Sequence, residues 1–144
     1  MISLVIISGR SGSGKSTALH VLEDIGYFCI DNLPVSLLQP LIGRLEEDQN
    51  TSLVAVSIDA RNIPVDLQNF PDIISNIDKS VFNHRIVYLD SGNATLVRRF
   101  SETRRKHPLS DQATGLNEAL ELETALLDPI SSAADLTIDT TRLT

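Results

Sequence analysis

The feature that most constrains the fold of this sequence is a glycine-rich loop that follows the first apolar run, Ile2 to Ser8. The loop carries the pattern GxxxxGK[ST], and the apolar spacing after it predicts a helix. In such a loop the glycines let successive backbone N–H groups point into one concavity, and the helix N-terminus adds positive charge. The sequence therefore predicts a phosphate-binding loop between a strand and a helix. The residues predicted to form it are Gly9, Arg10, Ser11, Gly12, Ser13, Gly14, Lys15, Ser16 and Thr17.

Two side chains of this loop indicate the ligand. Lys15 is placed to reach the β- and γ-phosphates as a point charge, and the Ser16 hydroxyl is placed to hold Mg²⁺. These roles predict a nucleoside triphosphate with Mg²⁺. The GxGxxG pattern of dinucleotide-binding folds is absent from residues 9–17, which disfavours NAD or FAD.

The rest of the sequence alternates between short apolar runs, which predict buried strands, and stretches with apolar residues three and four apart, which predict amphipathic helices. Because a parallel crossover usually contains a helix, this alternation favours an α/β fold. We expect a doubly wound, mainly parallel five-stranded sheet with helices on both faces, as in nucleoside-kinase-like P-loop NTPases. The predicted strands are Ile2–Ser8, Tyr27–Ile30, Leu53–Ile58, Arg85–Leu89 and Asp135–Ile138.

Turn and breaker residues set several expected boundaries. Gly26 is expected just after the first helix, and Asn93 is a predicted N-cap for the fourth helix, which Pro108 ends. Pro40 lies inside the second helical pattern, where it either kinks the helix or marks its first turn. Residues 59–72 contain two prolines and few periodic apolar residues, which predicts a loop.

A chain of 144 residues has the size of one domain. Thr144 follows the last predicted strand too closely to leave room for the helix that would normally cover that edge. We therefore expect residues 1–144 to be one P-loop nucleotide-binding domain and a fragment of a longer polypeptide.

A Mg²⁺ site also needs a carboxylate at the end of an apolar strand. Asp59 follows the most continuous apolar run and is the first candidate, and Asp90 is the alternative. Asp31 also ends a strand, but Asn32 and Pro34 after it are equally typical of a turn. For each aspartate the structural alternative is an Asp that begins a turn or caps the next helix.

The charge balance, 12 Lys and Arg against 19 Asp and Glu, disfavours a general nucleic-acid or lipid surface. One segment differs, and it contains Arg98, Arg99, Arg104, Arg105 and Lys106. These residues form either the solvated face of a helix or a cationic group with a function. As a functional group they would bind the phosphates of a nucleotide or bind RNA. The candidate catalytic residues are therefore Arg99, Arg104 and Arg105, together with Lys15 and Asp59.

The sequence gives no sign of export or of a membrane anchor. Cys29, the single cysteine, cannot form an internal disulfide. The opening apolar run is too short to span a bilayer and lacks the basic flank of a signal peptide. We expect a cytoplasmic protein with no membrane partner.

Three segments together resemble one known family, the RapZ/YvcJ-like P-loop nucleotide-binding proteins. They are SGRSGSGKSTALHVLEDIGYFCIDNLP at 8–34, SIDARN at 57–62 and LVRRFSETRRKHPLS at 96–110. The resemblance implies binding and slow hydrolysis of ATP and GTP, with Asp59, Ala60, Arg61 and Asn62 as a second, GTP-associated segment. It also implies a separate C-terminal domain for RNA binding and oligomer assembly, and hence a ribonuclease adapter that modulates small-RNA processing with a ribonuclease or other protein partner. An NKxD motif for reading guanine is absent from the sequence.

Two other functions fit parts of the sequence. A strand that ends at Asp90 before an arginine-rich helix is similar to the lid region of nucleoside monophosphate kinases, which favours a kinase that transfers the γ-phosphate of ATP to a small molecule or nucleotide. Residues 98–107 could instead bind RNA directly, although the net charge of −7 argues against this.

Overall fold

Strand β1 (Ile2–Gly9) lies at the centre of a five-stranded sheet in the computed structural model, which describes residues 1–48, 50–77, 79–80, 82–103, 107–109 and 115–141. The strand order is β2-β3-β1-β4-β5, and every neighbouring pair is parallel. The remaining strands are β2 (Phe28–Ile30), β3 (Leu53–Ile58), β4 (Phe82–Asp90) and β5 (Leu136–Asp139). The predicted parallel sheet is therefore confirmed, with each strand within a few residues of its expected position.

Helices cover both faces of the sheet, as predicted. They are α1 (Lys15–Asp24), α2 (Leu38–Asp48), α3 (Pro64–Gln68), α4 (Phe70–Ser75), α5 (Asn93–Thr103) and α6 (Leu116–Ser131). Side chains of β1 alternate between the two faces. Leu4 and Ile6 join the larger core with residues of α2, α3, α4 and α6, whereas Ile7 packs with Leu19 of α1. Burial on both faces explains why the strand sequences are apolar runs rather than alternating patterns.

Two boundary predictions are confirmed. Gly26 adopts a positive φ of 107° after α1, and the Tyr27 N–H donates to Leu22 O at 2.9 Å, which closes the helix in a Schellman motif. Pro40 lies in the first turn of α2. Backbone N–H groups in the first turn have no acceptor within the helix, so the absence of an N–H in proline removes no helical hydrogen bond. Pro40 therefore marks the start of the helix and does not kink it.

Two other predictions are wrong. Residues 59–72 are not a loop throughout, because α3 and α4 begin here with prolines in their first turns and bury Leu67 and Phe70. Both helices are too short to show a clear apolar period. Asn93 is the first residue of α5 and not its N-cap. Its side-chain oxygen accepts a hydrogen bond from Arg10.

Within the described ranges, each helix is too short or too polar to cross a bilayer.

Candidate functional site

The glycines of the loop after β1 adopt conformations that other residues rarely reach. Gly9 has φ 149°, and a Cβ there would lie 2.1 Å from the carbonyl oxygen of Leu89, so a side chain at this position would collide with β4. Gly14 has φ 109° and forms the N-cap of α1. These two residues let the chain leave the sheet, curl back and enter the helix within a few positions.

The carbonyl groups of the loop accept hydrogen bonds from side chains, which belong to Lys15 in the loop itself and to residues of α5 and the segment after β5. The Lys15 ammonium donates to Gly9 O at 2.7 Å and to Arg10 O at 3.2 Å. Arg99 Nη1 donates to Gly12 O at 2.7 Å, and Thr140 Oγ1 donates to Ser13 O at 2.8 Å. Because the C=O and N–H of a trans peptide point in opposite directions, the Gly14 amide faces away from Thr140.

Helix α1 begins without a side-chain cap. The N–H groups of Lys15, Ser16 and Thr17 are in its first turn, where an α-helix offers them no acceptor. They lie at a cavity of about 580 Å³, so the positive end of the helix dipole opens onto space large enough for a ligand. The residues that line this cavity are Ser11, Gly12, Gly14, Lys15, Ser16, Thr17, Asp31, Asp59, Arg61, Arg99, Phe100 and Pro108.

Lys15 is half-buried at the wall of this cavity. Burial lowers the pKa of its ammonium, while the carboxylates of Glu123 and Asp59 act in the opposite direction. Its hydrogen bonds to two loop carbonyls hold the charge beside the helix N-terminus. An anion in the cavity would meet this charge together with the amide groups of the first turn.

Asp59, at the end of β3, lies in the same cavity and is paired with Arg61. Arg61 Nη2 is 2.6 Å from Asp59 Oδ2, Arg61 Nε is 3.0 Å from Oδ1, and the Arg61 backbone N–H donates to Oδ1 at 2.8 Å. Burial works to raise the pKa of Asp59, but the hydrogen bonds and charge of Arg61 outweigh it, so the pKa lies below its ordinary value. Asp59 is therefore a carboxylate, as a Mg²⁺ site requires.

Asp31 adds a second carboxylate to the cavity, at the end of β2. The Ser57 hydroxyl donates to Asp31 Oδ1 at 2.6 Å and accepts the Asn32 N–H at 2.7 Å. Asn32 has φ 47°, which is the turn that its sequence context predicted. Asp31 therefore serves as a turn residue and as part of the cavity wall.

The second predicted nucleotide segment divides into two roles. Asp59 and Arg61 line the cavity, whereas Ala60 and Asn62 are buried. Asn62 Nδ2 donates to Leu33 O at 3.1 Å, and its Oδ1 accepts the Val35 N–H at 2.8 Å. Asn62 therefore holds the loop after β2 in place, with its side chain turned away from the cavity.

Arg10 and Asp90 face each other behind the loop. Arg10 Nε lies 2.9 Å from Asp90 Oδ1, and Arg10 Nη2 donates to Ser91 O at 2.6 Å. The Arg10 side chain thus attaches the loop to the end of β4, although the residue belongs to the predicted phosphate segment. Asp90, the alternative Mg²⁺ carboxylate, is the partner of this arginine.

The predicted arginine cluster divides as well. Arg99 reaches the loop and the end of β5, donating to Gly12 O and, from Nη2, to Thr140 O at 2.5 Å. Arg98 is exposed on the neighbouring position of α5. Arg104, Arg105 and Lys106 lie outside the described residues.

Two residues that touch the loop have no counterpart in the sequence predictions. Thr140 accepts from Arg99 and donates to Ser13, and Glu123 accepts from the Ser11 N–H at 2.9 Å. Both are more than 100 positions from the loop in sequence, and neither belongs to a recognisable motif. Only the packing of α6 and β5 beside β4 places them here.

Two solved kinase structures share this architecture. A shikimate kinase from Acinetobacter baumannii, in complex with shikimate, has a TM-score of 0.62 over 99% of this chain and 86% of that chain, at 14% identity. A sugar kinase from Janibacter sp. HTCC2649 has a TM-score of 0.58 over 96% and 86%, at 18% identity. At these identities the likeness establishes the fold alone, a parallel α/β sheet that this chain shares with both kinases.

Close relatives share the sequence over nearly the whole chain. A nucleotide-binding protein of Hahella chejuensis is 54% identical over 144 residues, and one of Cellvibrio japonicus is 56% identical over 142. These alignments cover 99% and 97% of this chain but 50% and 48% of the relatives, so the chain spans about half their length. The family described as the RapZ-like N-terminal domain matches residues 2–144. The resemblance predicted from the three sequence segments is therefore confirmed, and this chain belongs to the RapZ-like N-terminal domain family.

Proposed function

We propose that this chain binds a nucleoside triphosphate, ATP or GTP, on the loop Gly9–Thr17. The observation that carries this proposal is the uncapped start of α1 beside a cavity that also contains Lys15. The carbonyls of Gly9, Gly12 and Ser13 already accept hydrogen bonds from side chains, so the amide groups at the positive end of the helix are left to a ligand. The nucleotide-binding description carried by the relatives supports the same ligand class.

Mg²⁺ is part of the proposal because the cavity supplies the oxygen donors that this ion prefers. Ser16 presents a hydroxyl to the cavity at the start of α1, and Asp59 is a carboxylate at the end of β3. Mg²⁺ keeps several waters and needs only one or two protein ligands beside the phosphates. Ser16 is the proposed direct ligand, with Asp59 holding a metal-bound water. The ion would neutralise charge on the β- and γ-phosphates.

The proposed reaction is slow hydrolysis in a regulatory domain. Lys15 would bind the terminal phosphates. Arg99 would keep Gly12, in the middle of the loop, in position by donating to its carbonyl oxygen. Among the described residues that line the cavity we assign none as a general base, and a P-loop site without a placed water-activating residue hydrolyses triphosphates slowly.

The test is a titration of the protein with ATP, GTP and a non-hydrolysable analogue, with and without Mg²⁺, followed by product analysis. We expect Mg²⁺-dependent binding of a triphosphate and slow release of inorganic phosphate. Absence of binding for all three nucleotides by folded protein would reject the proposal.

A kinase is the second candidate. Its support is the fold of the solved kinases, together with Asp31 and Arg61, which add a carboxylate and a cation to the cavity beyond the phosphate loop. A panel of hydroxylated metabolites, assayed with ATP, separates the two functions. A kinase transfers phosphate at roughly 1 to 100 per second, whereas a regulatory NTPase leaves the metabolites unchanged.

In the longer relatives the domain would act with a second one. We propose that residues 1–144 form the nucleotide-binding domain of a cytoplasmic, homo-oligomeric RapZ-like adapter, and that a C-terminal domain carries small-RNA binding and the ribonuclease partner. RNA affinity of this chain and of a full-length relative, measured over a range of salt concentrations, tests the division. Strong, salt-dependent RNA binding by this chain alone would instead favour residues 98–107 as the RNA site.

A further inference from the structure

Glu123, in α6, is fully buried against the phosphate loop. Its Oε1 accepts the Ser11 N–H at 2.9 Å, and its Oε2 accepts the Ser11 hydroxyl at 2.7 Å. Residue Glu123 has 0% exposure, so water does not compensate for a lost contact. Both hydrogen bonds from Ser11 end on this one carboxylate.

The same carboxylate binds His107. His107 Nε2 lies 2.9 Å from Glu123 Oε1, while the Leu109 N–H donates to His107 Nδ1 at 3.0 Å. Since Nδ1 accepts, a neutral imidazole carries its proton on Nε2 and donates it to Glu123. The orientation of the ring is therefore fixed from both sides.

His107 connects this contact to the wall of the cavity. Its ring packs on Phe100 with centroids 5.2 Å apart, and Pro108, the next residue, lines the cavity together with Phe100. Phe100 also packs against the crest of the loop, since a Cβ on Gly12 would lie 3.5 Å from its ring. The phosphate loop and the cavity wall are therefore both connected to the buried carboxylate of Glu123, the loop directly and the wall through His107.

We propose that Glu123 is a positioning residue that preorganises the phosphate loop for its ligand. It fixes the Ser11 peptide directly, and through His107 it fixes the adjacent cavity wall. Because the loop is already ordered before the nucleotide binds, binding loses less conformational entropy. The affinity is therefore higher, although Glu123 does not contact the nucleotide. This inference rests on the proposed nucleotide-binding function.

Two substitutions separate the effect of the length of the Glu123 side chain from the effect of its charge. Glu123→Gln keeps the length of the side chain, and its amide oxygen can still accept from Ser11 and His107 while its NH₂ donates to the Ser11 hydroxyl. Glu123→Asp keeps the charge but withdraws the carboxylate by one methylene, beyond hydrogen-bond distance of the loop. Leu127→Ala, one turn further along α6, is the control for a loss of core packing that does not touch the loop.

Two measurements are made on each variant, with the wild-type protein as reference. The first is hydrogen exchange of the Ser11 amide in nucleotide-free protein, and the second is the affinity for ATP and GTP with Mg²⁺. We expect about tenfold faster Ser11 exchange and about tenfold weaker binding in Glu123→Asp. Glu123→Gln and Leu127→Ala should keep both values within about threefold of the wild type.

The outcomes separate this inference from the function on which it rests. Wild-type protein that binds no triphosphate rejects the proposed function, whatever Glu123 does. Normal Ser11 exchange in Glu123→Asp overturns the positioning role even if nucleotide binds. A loss of affinity in Glu123→Gln that exceeds the loss in Glu123→Asp overturns it as well, because the charge of the side chain and not its length would then matter. If Leu127→Ala lost as much affinity and amide protection as Glu123→Asp, Glu123 would be a packing residue and not a positioning residue.

Discussion

Arg10 Nε lies 2.9 Å from Asp90 Oδ1, so the second residue of the phosphate loop is joined to the last residue of β4. The Arg10 side chain is 9% exposed, and its other nitrogens donate to Asn93 Oδ1 and Ser91 O. All three partners lie within four residues of one another, at the junction of β4 and α5. The Arg10 guanidinium therefore joins the start of the loop to the end of β4.

Arg10→Ala is expected to destabilise the fold. It leaves Asp90 and two further acceptors without their donor, and hydrogen bonds to charged groups contribute about 1.5–3 kcal/mol each in partly buried settings. Because Asp90 is 40% exposed and can be rehydrated, we expect a total loss of about 2 kcal/mol in the free energy of unfolding, measured by urea denaturation.

Arg44→Ala is the matched control for this measurement. Arg44 pairs with Glu47 at 3.2 Å on the surface of α2, and both side chains are more than 70% exposed. An exposed pair of this kind contributes at most about 0.5 kcal/mol. Similar losses for the two arginine variants would mean that Arg10 is not the attachment inferred from its contacts.

Lys15→Ala is expected to abolish triphosphate binding while the fold persists. The ammonium is the cation at the start of α1, and burial lowers its pKa, so removing it takes away an unfavourable desolvation along with its two hydrogen bonds to the loop. Calorimetric titration checks affinity, and thermal unfolding checks stability. Lys79, which is exposed, supplies the control variant Lys79→Ala. Retained affinity in Lys15→Ala would remove the loop from the proposed site.

The fold could be predicted from the sequence because its signals are local and mutually consistent. The apolar run before Gly9 and the helical period after Ser16 fix the first strand–loop–helix unit, and repetition of that alternation predicts the parallel sheet. The short helices α3 and α4 were missed for the opposite reason. They contain too few residues to show a period, and their prolines are equally typical of loops and of helix starts.

The residues of the candidate site could be predicted in part. Lys15, Ser16 and Asp59 follow from motif and strand-end position, and all three lie in one cavity. Glu123 and Thr140 could not be predicted, because a buried carboxylate in a helix and a threonine after an edge strand have no local signal. Their contacts with the loop depend on how α6 and β5 pack, which is set by the whole core.

The stability of the protein is expected to depend on the ionisation of Asp59 in acid. Its pKa in the folded state lies below the ordinary value, near 3.9, that it regains on unfolding. A depressed folded pKa contributes stability that is complete above the unfolded pKa and is lost as pH falls through the folded pKa. The free energy of unfolding of the wild type, minus that of Asp59→Asn, should therefore decrease from about pH 5 downward.

Arg61→Gln tests the cause of that shift. Without the guanidinium, only the backbone N–H of residue 61 and the charge of Lys15 still oppose the effect of burial, so the pKa of Asp59 should rise towards its ordinary value. The difference in unfolding free energy between the Asp59 protein and its Asp59→Asn variant, measured in the Arg61→Gln background, should then decrease less towards low pH. Parallel acid profiles in the two backgrounds would show that Arg61 does not control the ionisation of Asp59.

Arg98 and Arg99 are neighbours on α5 and provide a matched pair for the last prediction. Arg98 is exposed, whereas Arg99 donates to Gly12 O, Thr140 O and the Ser91 hydroxyl. Arg99 therefore joins the crest of the phosphate loop to the ends of β4 and β5. The same residue type occurs at both positions, so composition and net charge change equally when either is replaced.

Arg99→Ala should weaken triphosphate binding about tenfold, because the Gly12 peptide loses its donor and the loop must be ordered by the ligand. Arg98→Ala should leave affinity within about twofold of the wild type, since an exposed charge acts on the site only through screened solvent. Titrations at low and high salt distinguish a local effect from a general one. If Arg99→Ala loses affinity only at low salt, and Arg98→Ala does the same, the arginines act as a diffuse positive charge and the hydrogen bond to Gly12 is not what holds the loop.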